Sequence, residues 1–310
     1  MTDTLKMSLA PNFQIPPIPV QAIEDDCLER AGVRLSVLRL DLVDPVISGN
    51  KWFKLKYNLA RANDLGQRTV LSFGGAWSNH LHALAETGRQ HGFQTIGLVR
   101  GDIPCPLNAC LQDASDAGMQ LIAVDRTSYA QKHLPEFLAQ LRNRFGDFYL
   151  VPEGGANREG ILGCAEVASL YDQDQFDLVC LSCGTGTMLA GMASASRVPL
   201  LGFQALKAKG YLETTVNSHF RNFGISPVCP WSINEDFHFG GFARINEKLM
   251  RFLTVFEDRH DIPLEPVYSA KMLFGLYEMI NKRDFFPRNC SILVVHGGGL
   301  QGRRGYEMIN

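Results

Sequence analysis

The feature that most constrains the fold is an alternation of short apolar runs with segments long enough for helices. In the first half, the helix-length segments start at Lys51, Ser78, Pro106 and Ser128, and the apolar runs are VRLSVLRL, RTVLSF, QTIGLVR, MQLIAVD and FYLVPE. Continuous apolar runs of this length are typical of strands that are buried on both faces of a parallel sheet. The alternation therefore predicts an α/β fold built from βαβ units.

A second series follows in the other half of the chain. It comprises a helix from about Gly160 to Tyr171, the strand FDLVCLS, a helix from Thr185, and the strands VPLLGFQAL and CSILVVH. Residues 207–244 lack a clear period, and we expect an irregular stretch there, as binding loops often are. With 310 residues, the chain lies in the size range where one domain usually becomes two.

Composition and charge argue against several classes of partner. The formal net charge is -2 and no long block of like charge occurs, so nucleic acid and anionic membranes are not expected partners. No run approaches the ~20 apolar residues of a membrane span, and the first residues lack a signal-peptide pattern. Eight cysteines in a chain of this length do not make a disulfide framework. We therefore expect a cytoplasmic protein with reduced cysteines.

Lys51 lies at an unusual position for a cation. It follows Gly49 and Asn50, and the apolar spacing after it predicts a helix that begins near Lys51 with Asn50 as its cap. A helix N-terminus carries partial positive charge, which lowers the pKa of a nearby ammonium group. Either Lys51 extends to solvent, or its neutral amine is used.

The segment LVCLSCGTGTMLAGM is the best candidate for an anion site. An apolar strand runs into a loop and then directly into a helix of small residues; the loop residues are Gly184, Thr185, Gly186 and Thr187. Converging backbone N–H groups, two hydroxyls and a helix start are what a bound phosphate needs. A tight strand-to-helix turn is the alternative, because glycine serves that equally well.

Other motifs carry less weight. A G-x-G-x-x-G occurs at Gly297, Gly299 and Gly302, but no helix, strand and ribose-binding acid can follow it, so we expect a close-packed turn rather than a dinucleotide site. Cys180 and Cys183 end an apolar strand, which favours buried structural thiols over a zinc site.

Two further clusters follow predicted strands. LSFGGAWSNH places Ser78 and Asn79 at a helix start, where a cap alone would account for a small polar residue, and VPEGGANREG carries Asn157 in the same style. His80 and His82 do not share a helix face, so a metal pair is not expected. Open α/β sheets bind ligands at the carboxyl ends of their strands, so we expect these clusters and Lys51 to meet in one crevice.

Six sequence motifs, taken in order, resemble those of the pyridoxal phosphate enzymes of the tryptophan synthase β fold (fold type II). They are GNKWFKLKY, SFGGAWSNH, VPEGGANREGILG, SCGTGTMLAG, LEPVYSAKMLFGL and VVHGGG. They look most like the branch containing 1-aminocyclopropane-1-carboxylate (ACC) deaminase and D-cysteine desulfhydrase. The resemblance implies pyridoxal 5'-phosphate as cofactor, mostly parallel sheets and a homodimer. It also implies a larger cofactor-binding domain of residues 1–49 and 161–310, and a smaller inserted domain of residues 50–160.

By that resemblance, Lys51 would hold the cofactor aldehyde as a Schiff base, which requires the neutral amine. Asn79 would bond the ring oxygen of the cofactor, and Ser269 would face its pyridine nitrogen. The loop from Gly184 to Thr187 would hold the phosphate. The residues Lys54, Asn58 and Arg61 are expected on the solvated face of the same helix as Lys51.

For the substrate, the resemblance implies contacts from Ser78, Asn79 and His80, with Ser78 and Tyr268 taking part in proton transfer. His80 in SNH fits the desulfhydrase side of the family. Where deaminase relatives present a tyrosine to the substrate, this chain has Phe237 and Phe239. Gly297 and the following tail also depart from the usual pattern.

The sequence therefore predicts a pyridoxal phosphate lyase that acts on a small amino acid by α,β-elimination, as D-cysteine desulfhydrase does. ACC deamination, β-replacement as in cysteine synthase relatives, and a non-catalytic binding descendant are the alternatives. Ser269 favours elimination, because a hydroxyl leaves the pyridine nitrogen uncharged, whereas the deaminases place a glutamate there.

Overall fold

A computed structural model describes residues 15–282 and 285–306, so the first part of the N-terminal arm lies outside the described residues. Numbered in chain order, the strands are β1 (Val20–Ile23), β2 (Arg34–Leu38), β3 (Thr69–Gly74), β4 (Gln94–Arg100), β5 (Gln120–Val124), β6 (Tyr149–Val151), β7 (Leu178–Cys183), β8 (Leu200–Gln204), β9 (Trp231–Asn234) and β10 (Ser291–Val295). The helices are α1 (Asp26–Ala31), α2 (Asn50–Asp64), α3 (Asn79–His91), α4 (Ala109–Asp116), α5 (Arg126–Ala130), α6 (Pro135–Phe145), α7 (Arg158–Ala165), α8 (Thr187–Ala193), α9 (Tyr211–Phe223), α10 (Glu247–His260) and α11 (Ser269–Ile280).

The strands form two sheets. The six-stranded sheet has the order β1-β2-β10-β7-β8-β9, and the four-stranded sheet has the order β5-β4-β3-β6. All neighbouring strands in both sheets run parallel except β1 and β2. Every residue of β10 is buried, as expected for an apolar strand covered on both faces. The predicted α/β fold with mostly parallel sheets is confirmed.

The carboxyl ends of the strands carry the candidate site segments. In the six-stranded sheet, β7 leads into Gly184 and β10 leads into Gly297; in the four-stranded sheet, β3 leads toward Ser78 and β6 toward Asn157. This is the edge at which open parallel sheets present ligand-binding loops.

Two local predictions are wrong. The segment from Ser128 forms two helices rather than one, because Pro135 starts α6 and a proline cannot continue a helix through its interior. Residues 207–244 are not irregular throughout, since they contain α9 and the edge strand β9. Across the described ranges, the structure has no helix that is both long and apolar enough to cross a membrane.

The glycines after β10 form a close-packed turn against the start of α2, as the sequence predicts. A Cβ on Gly49 would lie 1.9 Å from the carbonyl oxygen of Gly297, so only glycine fits there. The backbone N–H of Asn50 donates to the same oxygen at 3.1 Å. This contact fixes the position of Lys51 relative to the six-stranded sheet.

Candidate active site

Lys51 lies in the first turn of α2, next to the turn that follows β10. Gly49, with φ 70°, occupies the cap position and no side chain caps the helix, so the expectation that Asn50 is the cap is wrong. Asn50 Oδ1 instead accepts a hydrogen bond from Lys51 Nζ at 2.7 Å. The amide therefore orients the amine.

The pKa of Lys51 is lowered from 10.5 to about 7, chiefly because the amine is removed from water and secondarily because the Lys54 ammonium lies nearby. The Glu265 carboxylate opposes this lowering only in part. At neutral pH, about half of the amine is therefore uncharged and nucleophilic.

Lys54 is the functional residue that the sequence reasoning missed. It was expected on a solvated face, but its side chain is buried and its Nζ donates to the carbonyl of Gly154 at 3.1 Å. Burial lowers the pKa of Lys54 too. Because Lys54 lies three residues after Lys51, both share one face of α2, and this spacing was the available signal.

The loop between β7 and α8 has the features of an anion site. Gly186 is left-handed (φ 71°) and no side chain caps α8, so the N–H groups of its first turn have no intrahelical partner. The hydroxyls of Thr185 and Thr187 lie 2.9 Å apart. His219 Nε2 donates to the Thr185 carbonyl at 2.8 Å, and the nearby Lys54 ammonium helps to lower the pKa of His219. Lys54 thus lies within electrostatic range of this loop.

The start of α3 brings three of the predicted site residues to one place. Ser78 caps the helix by accepting from the N–H of Leu81 at 3.2 Å. Asn79 Oδ1 accepts from Gln301 Nε2 at 3.0 Å. Ser78 is therefore the helix cap that the sequence allowed at this position. The Asn79 side chain instead faces the turn after β10.

His80 is buried beside the two amines. Ser72 Oγ donates to the Val151 carbonyl at 2.7 Å, so His80 Nε2 donates to Ser72 Oγ at 2.8 Å. Burial, with the charges of Lys51 and Lys54, holds the pKa of His80 well below its ordinary value. The ring is therefore neutral, and its Nδ1 finds no hydrogen-bond partner within the described residues.

The segment before α11 joins Tyr268 to the anion loop. A Cβ on Gly184 would lie 3.1 Å from the Tyr268 hydroxyl oxygen, so the phenol lies against the loop. Burial, followed by the Glu265 carboxylate, raises the pKa of Tyr268, so the phenol keeps its proton at neutral pH. Phe237 and Phe239, which stand where the resemblance leads us to expect a tyrosine, both pack on Phe274 of α11.

Glu265 is a second residue that the sequence reasoning missed. Its carboxylate accepts from the backbone N–H groups of Val267 (2.9 Å), Tyr268 and Ser269 (2.8 Å). Ser269 Oγ in turn accepts from the Glu265 N–H at 2.8 Å and donates to the Glu265 carbonyl at 3.2 Å. Burial raises the pKa of Glu265 to about 7 despite the N–H donors. The carboxylate thus shapes the start of α11.

Asn157 does not join these groups. Its Oδ1 caps α7 by accepting from the N–H of Gly160 at 2.9 Å, and its Nδ2 donates to Asn58 Oδ1 at 2.6 Å. The expectation that all three strand-end clusters present polar side chains to one crevice therefore fails for Asn157. Asn58 is fully buried too, which corrects its predicted place on a solvated face.

Two cysteine thiols lie at the middle and the end of β7. Cys180 and Cys183 are both buried and free, as predicted for structural thiols. No group of three or more potential metal ligands occurs in the part of the chain that the structure describes.

Sequence comparison finds relatives along nearly the whole chain, although no family model matches. A Thermotoga maritima protein provisionally named 1-aminocyclopropane-1-carboxylate deaminase is 28% identical over 307 residues, covering 94% of this chain and 96% of the relative. The mitochondrial bifunctional D-cysteine desulfhydrase/1-aminocyclopropane-1-carboxylate deaminase of Arabidopsis thaliana is 27% identical, with coverages of 87% and 73%. The D-cysteine desulfhydrase of Serratia proteamaculans is 23% identical, with 89% of each chain covered.

Solved structures agree on the fold. An ACC deaminase homologue superposes with a TM-score of 0.80 at 22% identity, over 95% of this chain and 93% of that one. The processed threonine deaminase isoform 2 of Solanum lycopersicum gives a TM-score of 0.64 at 13% identity, over 92% and 80%. The chain therefore has the tryptophan synthase β-like fold, and its sequence relatives are named ACC deaminases and D-cysteine desulfhydrases.

Proposed function

We propose that this homologue of ACC deaminases and D-cysteine desulfhydrases is a pyridoxal phosphate-dependent lyase. Its reaction is α,β-elimination on a small amino acid, with D-cysteine or a similar β-substituted amino acid preferred over ACC. The observation that carries the proposal is the pairing of Lys51, whose pKa is lowered to about 7, with an uncapped, glycine-containing loop at the start of α8.

The residues present fit this cofactor. The amine of Lys51 suits its aldehyde, and the loop of Gly184, Thr185, Gly186 and Thr187 suits its phosphate. Lys54 supports the fit, because its ammonium is buried and, among the described residues, no carboxylate lies within ion-pair distance of it. A buried unpaired cation is costly, and a phosphate dianion beside it would remove that cost.

When bound, the cofactor withdraws electrons from the substrate Cα. Lys51 Nζ, in its neutral form, takes the proton from Cα. Tyr268 keeps its phenolic proton at neutral pH and is suited to deliver it to the departing sulfur, while Ser78 and Asn79 at the start of α3 bind the substrate with His80 beside them. The Cα–H and Cβ–S bonds break and a Cα=Cβ double bond forms. Lys51 holds the proton from Cα, and the sulfur leaves as hydrogen sulfide with the proton from Tyr268.

Ser269 supports elimination over ring opening. Its hydroxyl accepts from the Glu265 N–H and donates to the Glu265 carbonyl, so the side chain offers no charge to a ring nitrogen. The Glu265 carboxylate is occupied by three backbone N–H groups and does not replace the serine there. A hydroxyl leaves the nitrogen uncharged and the electron sink weaker, which suffices for removing an α-proton and expelling a thiolate. Opening a cyclopropane that lacks an α-hydrogen demands a stronger electron sink.

Two assays on one enzyme batch test the reaction: sulfide release from D-cysteine and 2-oxobutyrate release from ACC. We expect the higher kcat/KM for D-cysteine. A kcat/KM for ACC equal to or above that for D-cysteine would overturn the preference, and sulfide consumption with O-acetylserine as co-substrate would instead favour β-replacement.

The cofactor assignment is tested separately by visible absorbance and by borohydride reduction followed by peptide mass mapping. We expect a reduced adduct on Lys51 that is absent from Lys51→Ala, while the exposed Lys248→Ala serves as the matched control. A helix-end lysine contributes little to stability, so the variant should stay folded. Covalent trapping that persists in Lys51→Ala contradicts the assignment.

The remaining expectations from the resemblance are also proposals. We propose a cytoplasmic homodimer with a smaller domain of residues 50–160 inserted into a larger domain of residues 1–49 and 161–310. The four strands of the smaller sheet fall within 50–160, and the other six fall outside it, which supports these boundaries. Sedimentation of the purified protein tests the dimer.

A further inference from the structure

The turn that follows β10 lies across the two sheets. It continues as a short 3-10 helix, Leu300–Gly305, and two consecutive arginines fix it on opposite sides. Arg303 makes two hydrogen bonds to Glu257 on α10, at 2.6 and 3.0 Å, and α10 packs on α11 beside the six-stranded sheet. Arg304 pairs with Asp113 on α4, which packs on α3 beside the four-stranded sheet.

The side chain that this turn covers is Asn79. Gln301 Nε2 donates to Asn79 Oδ1 at 3.0 Å. A Cβ on Gly299 would lie 2.4 Å from Asn79 Nδ2, and one on Gly302 would lie 3.2 Å from Asn79 Oδ1. A side chain at position 299 would force the amide to shift, and one at position 302 would fit tightly against it.

Asp113 makes a second connection between the turn and α3, the helix that begins at Asn79. Besides Arg304, it accepts from His82 Nε2 at 3.0 Å, and His82 lies on α3 three residues after Asn79. The turn is therefore tied to the first turns of α3 at two points, one at Asn79 and one through Asp113. Rotation of the Asn79 amide cannot occur without breaking the bond to Gln301.

An amide presents one acceptor oxygen and one donor nitrogen. Because Gln301 donates to Oδ1, the free group of Asn79 is its Nδ2, which donates to no residue in the described ranges. We propose that Gln301 is a positioning residue that fixes the Asn79 amide with Nδ2 as the donor for the ring oxygen of the cofactor. The inference rests on the proposed function, and it assigns a role to a residue of the tail that departs from the usual family pattern.

Gln301→Glu tests the proposal, because a carboxylate cannot donate. In that variant the Asn79 amide reverses so that Nδ2 donates to Glu, and Oδ1 then faces the ring oxygen. We expect the Kd for pyridoxal phosphate to rise on the order of tenfold, the size typical of one hydrogen bond to an ionised group, and the visible band of the bound cofactor to shift. Gln120→Glu, on the exposed start of β5, makes the same charge change away from the turn and should leave both unchanged.

Asn79→Ala separates positioning from a general packing role. In the Asn79→Ala background, Gln301→Glu should change neither the Kd nor the band any further. Gln301→Ala, which adds no charge near Asp113, repeats the measurement in case the glutamate variant folds poorly. An unchanged Kd and spectrum in folded Gln301 variants, or an equal loss in the Asn79→Ala background, overturns the positioning role alone. Wild-type protein that takes up no cofactor overturns the proposed function, and this inference with it.

Discussion

Two glycine-containing loops, one after β6 and one after β7, look alike in sequence but differ in what their polar groups do. Both follow a parallel strand, both precede a helix, and they touch, since a Cβ on Gly154 would lie 2.8 Å from Thr185 Cγ2. The loop after β6 is closed: Asn157 caps α7 and also bonds Asn58 in the interior. The loop after β7 is open, because α8 has no side-chain cap.

The difference teaches that glycines alone do not mark a binding loop. What separates the two is whether the following helix start is already satisfied by a side chain of the protein itself. Lys54 lies between them, bonded to Gly154 of the closed loop and electrostatically coupled to His219 at the open loop. We expect cofactor affinity to depend on the open loop and on the amines of Lys51 and Lys54. We expect the free energy of unfolding to depend on the closed loop.

The largest expected effect is the pH dependence of covalent cofactor capture, which belongs to the amines beside the open loop. The pKa of Lys51 is lowered to about 7, so the neutral form predominates above that pH and the protonated form below it. At about pH 5, roughly one amine in a hundred is neutral, so the rate of capture by cofactor-free protein should fall about a hundredfold. A stopped-flow absorbance series over pH measures it, and a rate midpoint near 10 would contradict the desolvated amine.

Next in size is the effect of Lys54→Met, which removes the buried cation. The Kd for pyridoxal phosphate should rise by about 10- to 100-fold, because a hydrogen bond to a charged group contributes about 1.5–3 kcal/mol. The pH midpoint for Lys51 should move upward, since repulsion from Lys54 is one cause of its lowered pKa. Titration of cofactor-free protein followed by absorbance measures both.

Lys56→Met is the matched control for that variant, because Lys56 is also buried on α2 but pairs with Glu166 at 2.8 Å. Its loss should lower the free energy of unfolding and leave cofactor affinity unchanged. Lys54→Met should not destabilise the cofactor-free protein, since it removes an uncompensated buried charge. If the two variants exchange these phenotypes, the contrast between the loops is lost.

Thr187→Val probes the open loop itself with a side chain of nearly the same shape. Thr187 is fully buried and its hydroxyl bonds that of Thr185. We expect a rise in the Kd for pyridoxal phosphate of about tenfold, at the lower end of the about 1.5–3 kcal/mol that a hydrogen bond to a charged group contributes. Thr214→Val, an exposed position on α9, is the control. An unchanged Kd in Thr187→Val rejects the loop as the phosphate site.

The smallest expected effect comes from Asn157→Ala in the closed loop. Loss of this helix cap should reduce the free energy of unfolding by about 1 kcal/mol, with no change in cofactor affinity. Thermal unfolding of the cofactor-free protein measures the first, and the binding titration measures the second. Asn246→Ala removes the cap of α10 and should cost a similar amount. A weakened cofactor complex in Asn157→Ala alone would show that both loops bind.

The sequence predicted the fold class and most strands, because buried parallel strands leave continuous apolar runs. It did not predict α9, although Leu212, Val216 and Phe220 recur at helical spacing there, because the prolines and glycines of the neighbouring stretch hid the pattern. The 3-10 turn of residues 166–169 likewise shortens the helix expected to reach Tyr171.

At the site, motifs located the candidate residues, but periodicity misplaced Lys54 and Asn58. A polar stripe on a helix normally faces water, whereas α2 is covered on that side by the loop after β6: a Cβ on Gly155 would lie 3.1 Å from Lys54 Cβ. Polar residues that face each other in the interior leave the same sequence pattern as a solvated face. Gln301 could not be found either, since its contact with Asn79 spans 222 residues of chain.

The contact between the start of α2 and the turn after β10 also has a consequence for synthesis of the chain. The Gly299 N–H donates to Ser48 Oγ across 251 residues, and the Asn50 N–H donates to the carbonyl of Gly297. At about 5–20 residues per second, a ribosome needs roughly 10 to 50 s to make that intervening chain. During that interval, the segment that carries Lys51 has been made but the turn that holds it in place has not. The position of Lys51 relative to the six-stranded sheet is therefore fixed late in synthesis, after β10 and the turn that follows it have been made.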